Sequence, residues 1–449
     1  MGAGQPGQGG GDAPRPPPPG RLPQGEGENV AGARRLLEAG LNPYPVRLMR
    51  PSAAPLSAMA RLGERIFFDT GLSASGQMAC ASCHSPAEHY GPPDDAPGER
   101  QRVRAIPSLT YLERHAPFSV GPDKDENENN SVPLQVALAH GATRVPKSAH
   151  NTADSAVNLV PQGGLFWDGR VDTLQEQAQQ PLLNPTEMAN ASASEVAAKL
   201  RGRPYASYFA ELFGAAILDE PRLLMSEAMF AVARYQIEAP DFHPYTSKYD
   251  YWLEGRARFT PDELRGYLLF NDPDKANCGG CHLDRPAADG TPPVFTDGQF
   301  EALGAPRNPS LLANRDPAYF DLGICGPSRD DMRDQTQFCG MFTTPTLRNV
   351  ATRHAFFHNG VFRSLQQVMD FYAFRDVAPE KVYPYGPDGQ VAKYDDIPPR
   401  FRANIDVVDP PFDRNPGDPP AMTEQDERDI IAFLRTLTDG YRLDPTVGP

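Results

Sequence analysis

Long apolar runs are missing from this chain, and no stretch reaches the length needed to cross a bilayer. After Met1 it reads GAGQPGQGGGDAPRPPPPG, with no apolar region of a secretory leader. Basic residues are in deficit: 43 Lys and Arg stand against 58 Asp and Glu, a formal net charge of −15. That balance argues against nucleic acid as a partner, because phosphate binding needs the opposite sign. It is compatible with a basic partner protein, although an acidic surface is more often just a soluble one. Hydrophobic content is a modest 39%, and only two tryptophans occur, Trp167 and Trp252. Nothing reads as a substantial sheet.

Cysteine is scarce as well, yet four of the six fall into one pattern. Cys80-Ala81-Ser82-Cys83-His84 and Cys278-Gly279-Gly280-Cys281-His282 each place two cysteines three apart with histidine next. This is the attachment signature of c-type haem. Both thiols reach the vinyl groups of one porphyrin, and the adjacent histidine lies under the iron as proximal ligand. Two CxxC pairs can also build a four-cysteine zinc cage, but their wide separation and the following histidines favour two covalently bound haem c groups. Porphyrin would supply apolar bulk that the composition lacks. Cys325 and Cys339 are left over; a disulfide, worth about 3 kcal/mol for such a loop, is preferred to two buried free thiols. Covalent haem and a disulfide both fit an oxidising compartment such as the periplasm, so export is inferred from that chemistry alone.

The chain's 449 residues suffice for two or three domains, and 49 prolines point to much loop. The division expected is a disordered Gly/Pro-rich tail and lead-in over 1–45, an N-terminal haem domain over 46–245 and a C-terminal one over 246–449. A short helix is expected from near Glu28, with Leu36 and Leu37 on its apolar side. Gly63, Ile66 and Phe67 before the first motif recur as Gly266, Leu269 and Phe270 before the second, an internal duplication. Asp123 to Glu128 lacks the glycine and terminal glutamate of an EF-hand and reads as a solvated insertion. Helices are expected at Ser194–Phe213 and Pro221–Ala239, the latter with Phe230, Ala233 and Ile237 on a covering face, and His243–Gly255 reads as a connection. Thr260-Pro261-Asp262-Glu263 opens a helix with a capping box. A last helix starts at Thr423 and stops near Gly440. The fold class is mainly α: two tandem cytochrome c-like haem domains with long loops.

Four segments carry a family resemblance: LGERIFFDTGLSASGQMACASCH (62–84), FWDGRVDTLQEQAQQPLLNPTEM (166–188), NCGGCH (277–282) and TPTLRNVATRHAFFHNGVFRSLQQVMDFY (344–372). In these the chain resembles the bacterial di-haem cytochrome c peroxidase and MauG superfamily, over roughly Leu62 to Tyr441. The C-terminal half resembles especially the subgroup containing MbnH. The resemblance implies that His84 is proximal at a peroxide-reactive haem and His282 at an electron-transfer haem. It implies that Trp167 lies between them and couples them, whereas Trp252 reads as packing. Gln177 and Glu187, ten and twenty residues after Trp167, fall at the distal peroxide pocket, where a carboxylate can shuttle the proton that makes O–O cleavage heterolytic.

Fourteen residues after His358, where peroxidases of the family place methionine, stands Tyr372. MauG also has tyrosine there, and Tyr372 is preferred to the nearby Met369 as sixth ligand of the second haem. A calcium ion is implied too, with Asn151 and the carbonyls of Arg353 and Ala355 as ligands. The displaceable distal histidine of typical peroxidases is replaced by Thr143; His140 or His150 could substitute, but the simpler expectation is an open first haem. The resulting expectation is a periplasmic di-haem enzyme that reacts with hydrogen peroxide, forms a high-valent di-haem state and oxidises a Trp or Tyr side chain of a partner protein. The competing expectation is a peroxidase drawing electrons from a soluble cytochrome c or cupredoxin.

Overall fold

Two helix pairs carry the architecture, and each closes on a glycine. The computed structural model describes residues 27–94, 96, 101–122 and 159–443. Asn151, His140, Thr143, His150 and the acidic run from Asp123 lie outside the described residues. The helices are α1 (Gly27–Glu38), α2 (Ala58–Phe67), α3 (Leu174–Leu183), α4 (Ala193–Arg201), α5 (Ala206–Phe213), α6 (Pro221–Glu238), α7 (Lys248–Leu253), α8 (Pro261–Phe270), α9 (Leu365–Phe374) and α10 (Glu424–Arg435). Helix α2 packs on α6 and α8 packs on α10. A Cβ on Gly63 would sit 1.9 Å from the Ala231 carbonyl oxygen, and one on Gly266 would sit 1.8 Å from that of Asp429. Only glycine permits either crossing. The duplicated Gly63 and Gly266 therefore do the same work, each where the helix before a CxxCH motif meets the last long helix of its half.

Sequence-local signals account for where these helices begin. The Ser57 hydroxyl caps α2 by accepting from the Ala60 N–H at 3.1 Å. Thr260 with Glu263, and Thr423 with Asp426, form reciprocal capping boxes at α8 and α10. Around the first pair, Leu62, Ile66, Phe67, Val196, Leu200, Phe209 and Leu224 form one core. Around the second, Trp252, Phe259, Tyr267, Phe270, Ile430 and Phe433 form another, each side chain contributing roughly 1.5–3 kcal/mol by burial. Leu37 and Leu48, from either side of residue 45, both pack into this second core.

Several sequence expectations need correction. The helix expected over Ser194–Phe213 is two helices, α4 and α5, because Pro204 in the gap has no N–H to continue the ladder. On α6 the packed face is Leu224, Ala228, Ala231, Val232 and Tyr235; Phe230 and Ile237 lie off it, each more than a third exposed. The stretch from His243 to Gly255 is not a bare connection but carries α7, capped by Ser247 and Asp250.

Strand content is slight. β1 (Ser119–Pro122) pairs antiparallel with β2 (Leu159–Gln162), with Ser119 opposite Gln162. β3 (Phe300–Glu301) pairs antiparallel with β4 (Phe342–Thr343), and a bridge from Gln162 to Gln299 links the two pairs. The fold is mainly α-helical with long loops. Among the described residues no helix is long and apolar enough to cross a membrane.

A buried polar network joins the halves. Arg348 is fully buried, bonded bidentately to Asp250 at 2.7 and 2.9 Å, and faces the rings of Tyr111 and Tyr245 at 4.8 and 4.7 Å. The Tyr111 hydroxyl donates to Asp439, which also accepts from the Asn349 amide at 2.9 Å. Cys325 and Cys339 are joined as a disulfide, as preferred above to two free thiols.

Candidate functional site

Both CxxCH segments fold as a single tight turn. The His84 N–H donates to the Cys80 carbonyl at 2.9 Å, and the His282 N–H to that of Cys278 at 2.8 Å. His84 Nδ1 lies 3.3 Å from the Tyr90 carbonyl oxygen, and His282 Nδ1 lies 2.9 Å from that of Phe295. A backbone carbonyl on Nδ1 fixes the tautomer and leaves the Nε2 lone pair for a metal. Tyr90 and Phe295 both hold left-handed backbone, φ +54° and +55°, unfavourable for bulky residues. The same strained device serves each histidine. Burial lowers both imidazoles, His84 to about 4, so the neutral, ligating form prevails.

A third repeated element escaped the sequence reading. The backbone of Pro107 faces His84 and that of Pro345 faces His282. The signal was present as Pro107-Ser108-Leu109 and Pro345-Thr346-Leu347, one small hydroxyl residue between proline and leucine twice.

The residues present fit a haem. Burial pushes the Cys80 and Cys278 thiols up to about 12. Over His282 opens a cavity of about 960 Å³, lined by Phe270, Val368, Leu434, Cys278 and Cys281 and reaching Trp167. That is the size and apolar character of a cofactor site. Tyr372 and Met369 both line it. The Tyr372 hydroxyl has no hydrogen-bond partner among the described residues. Burial, then the nearby Cys278 and Cys281, raise it well above the usual phenol range. Its ring stacks on Phe412 at 5.4 Å. His358 also lines the cavity; its ring stacks on Phe342 at 3.6 Å, and its Nε2 lies 3.3 Å from an Asp396 carboxylate oxygen.

Trp167 is moored from two sides. Its indole N–H donates to the Ala105 carbonyl at 2.8 Å, and its own carbonyl accepts from the Thr343 N–H at 3.0 Å. Ala105 precedes Pro107 by two residues and Thr343 precedes Pro345 by two. The tryptophan therefore bridges equivalent points of the two repeats. Asp168, next in the chain, is fully buried and paired with Arg104 at 2.6 Å and Arg170 at 2.9 Å. Trp252 is also fully buried, stacked on Phe259 at 4.6 Å, and is packing.

Gln177 sits buried on α3 and lines the same cavity as Trp167. Glu187 lies beyond the end of α3, its carboxylate accepting from the Asn184 amide at 3.0 Å. Burial raises its carboxyl, while Arg102 and Arg170 pull it back down without cancelling the shift. Glu187 in turn helps raise the Cys83 thiol, so the structure brings it to the first motif. Arg102, missed in the sequence because its segment has no periodicity, is buried, donates to Cys83 Sγ at 3.2 Å and keeps Nη1 unpartnered.

The calcium expectation rests on Asn151, which lies outside the described residues; Arg353 and Ala355 line the cavity. Arg353 is partly buried, and desolvation alone lowers its guanidinium to about 10. Among the described residues no three His, Cys, Asp or Glu side chains converge to hold a metal ion.

Two CxxCH turns of matching geometry accord with the class that similarity defines: the chain belongs to the di-haem cytochrome c peroxidase and MauG family and is a haem-dependent oxidoreductase. Residues 57–258 match the family model described as di-haem cytochrome c peroxidase. The methylamine utilization protein MauG of Paracoccus denitrificans is 35% identical over 318 residues, covering 70% of this chain and 74% of that protein. The cytochrome c551 peroxidase of Nitrosomonas europaea is 27% identical over 329 residues, covering 73% and 75%. The crystal structure of the diheme peroxidase BthA from Burkholderia thailandensis superposes with a TM-score of 0.72 at 35% identity, covering 87% of each chain.

Proposed function

We propose that this chain is a periplasmic di-haem peroxidase that reduces hydrogen peroxide with electrons from a small soluble redox protein. Relatives named as peroxidases support this order over the MauG-like reading that the sequence alone placed first. Under this proposal Cys80, Cys83 and His84 hold one haem and Cys278, Cys281 and His282 the other, in modules spanning 46–245 and 246–449. Haem iron supplies the redox chemistry for a two-electron peroxide reduction. The chain's residues do the rest. Glu187 takes the first proton of hydrogen peroxide and returns it to the departing oxygen, which leaves as water. The Gln177 amide orients the bound peroxide. Trp167 provides the electronic connection between the modules. The observation that carries the proposal is the mooring of Trp167 to Ala105 on one side and Thr343 on the other. A calcium ion at Asn151 with the Arg353 and Ala355 carbonyls belongs to the same proposal.

One observation favours a second reading, oxidation of a Trp or Tyr side chain on a partner protein, as in a MauG- or MbnH-like enzyme. Tyr372 lines the cavity over His282 with a hydroxyl that makes no hydrogen bond among the described residues. A phenolate ligand favours higher oxidation states, whereas methionine raises the potential and suits electron uptake. Rapid-mixing turnover of the di-haem protein with peroxide and a reduced small cytochrome or cupredoxin decides between them. Multiple turnovers with donor oxidation support the peroxidase. No donor oxidation, together with oxidation of an aromatic side chain in an added partner protein, would install the second reading.

A further inference from the structure

The segment from Asp321 to Thr343 is closed on itself by the Cys325–Cys339 disulfide, and its contacts converge on one place. Arg329, buried on this loop, donates from Nη1 to the carbonyls of Asp168 and Gly169 at 3.0 and 3.1 Å. Its Nε and Nη2 are held by Asp331 at 2.6 and 2.7 Å, and its plane lies 3.7 Å from the centre of the Phe118 ring. The guanidinium is thus fixed on every side. Asp321, where the loop begins, grips Arg104 at 2.6 and 2.7 Å, and Arg104 pairs with the Asp168 carboxylate. Thr343, where the loop ends, donates to the Trp167 carbonyl. Between these ends, Ile324 and Phe338 pack with Phe300, against which Gly169 is so tightly pressed that a Cβ would lie 2.8 Å from the ring.

We propose that this disulfide-closed loop is the clamp that sets the position of Trp167 between the two haem sites, with Arg329 as its positioning residue. The inference rests on the reading that Trp167 connects those sites. Thr343 holds position 167, Arg329 holds 168 and 169, and Asp321 reaches 168 through Arg104; none of these loop residues is close to either CxxCH motif in sequence. A guanidinium can serve two adjacent carbonyls and a carboxylate at once because its five donors lie in one rigid plane. Lysine retains the charge and a donor but not that geometry. Methionine retains only the apolar stem. Reorienting a relay group by about an ångström from a distance can lower a rate by about a hundredfold.

The test uses di-haem protein of wild-type, Arg329→Met, Arg329→Lys, Trp167→Phe and the Cys325→Ser/Cys339→Ser double variant. Two quantities are read: the rate at which one photo-injected electron equilibrates between the haems, and the ultraviolet resonance Raman band reporting the indole N–H hydrogen bond. Arg329→Met and the double serine variant are expected to slow equilibration at least tenfold and to shift the indole band. Haem content and the ligation spectra should stay unchanged, and Arg329→Lys should fall between. If either variant fails to take up haem, the other variants carry the decision. Rates within twofold of wild type in the loop variants, with Trp167→Phe slow, overturn the clamp alone. Unchanged equilibration in Trp167→Phe overturns the clamp together with the relay reading beneath it.

Discussion

In the proposed reaction Glu187 acts through a single proton, and its surroundings set when that proton leaves. Burial raises the carboxyl above the ordinary glutamate value of 4.5, and the cations of Arg102 and Arg170 restrain the rise. A base must be ionised to accept, so the acid limb of kcat/KM for peroxide should lie above pH 4.5. Arg102→Met removes a restraining cation and should move the limb to higher pH; movement to lower pH would contradict the assignment. Glu187→Gln should cost about 10²–10⁴-fold in the rate of peroxide reaction and abolish the limb, both readable by stopped flow at stoichiometric peroxide. At this scale the sequence was legible only where a motif stood in place. Cys80, His84, Cys278 and His282 announce themselves, because thioether attachment demands that spacing. Glu187 has no local signature and became visible only through resemblance. Arg102 and the strained carbonyls of Tyr90 and Phe295 have none at all, since they serve the site from loops without periodicity.

Helices show their duplication through glycine. Because the Cβ of alanine at position 63 or 266 would invade the carbonyl of the facing helix, Gly63→Ala and Gly266→Ala must force α2 from α6 or α8 from α10. Overpacking of this kind costs typically 1–3 kcal/mol. Each variant should lower the thermal midpoint and impair haem uptake at its own motif, which haemochrome quantitation per chain can assign. Equal loss at both motifs from either substitution would refute the separate roles. The recurrence of Gly63 and Gly266 was readable because a close helix crossing admits no other residue. The helix starts at Thr260 and Thr423 were readable because capping is a local interaction. The break between α4 and α5 was passed over although Pro204 stood in the sequence. The packed face of α6 was misjudged because apolar residues occur all round that helix, so periodicity alone selects no side.

At the scale of the molecule, long-range contacts decide what holds the halves together, and these were the least legible. Arg348 pairs with Asp250 from a distant segment and faces two tyrosines of the other half, Tyr111 and Tyr245. Arg348→Met leaves Asp250 buried and uncompensated, so a loss of about 3–5 kcal/mol is expected in denaturant titration. A change below 1 kcal/mol would mean that water reaches the pair. Opening the Cys325–Cys339 link with the double serine variant should cost about 3 kcal/mol by the loop-entropy account, measured in the same titration. Trp167 draws a further consequence from the way the halves meet. It hangs from one carbonyl and carries one amide, each supplied by a different half. Any hinge opening must therefore break the bond from the Thr343 N–H to the Trp167 carbonyl, and deuterium uptake at the Thr343 amide becomes a clock for breathing of the whole enzyme.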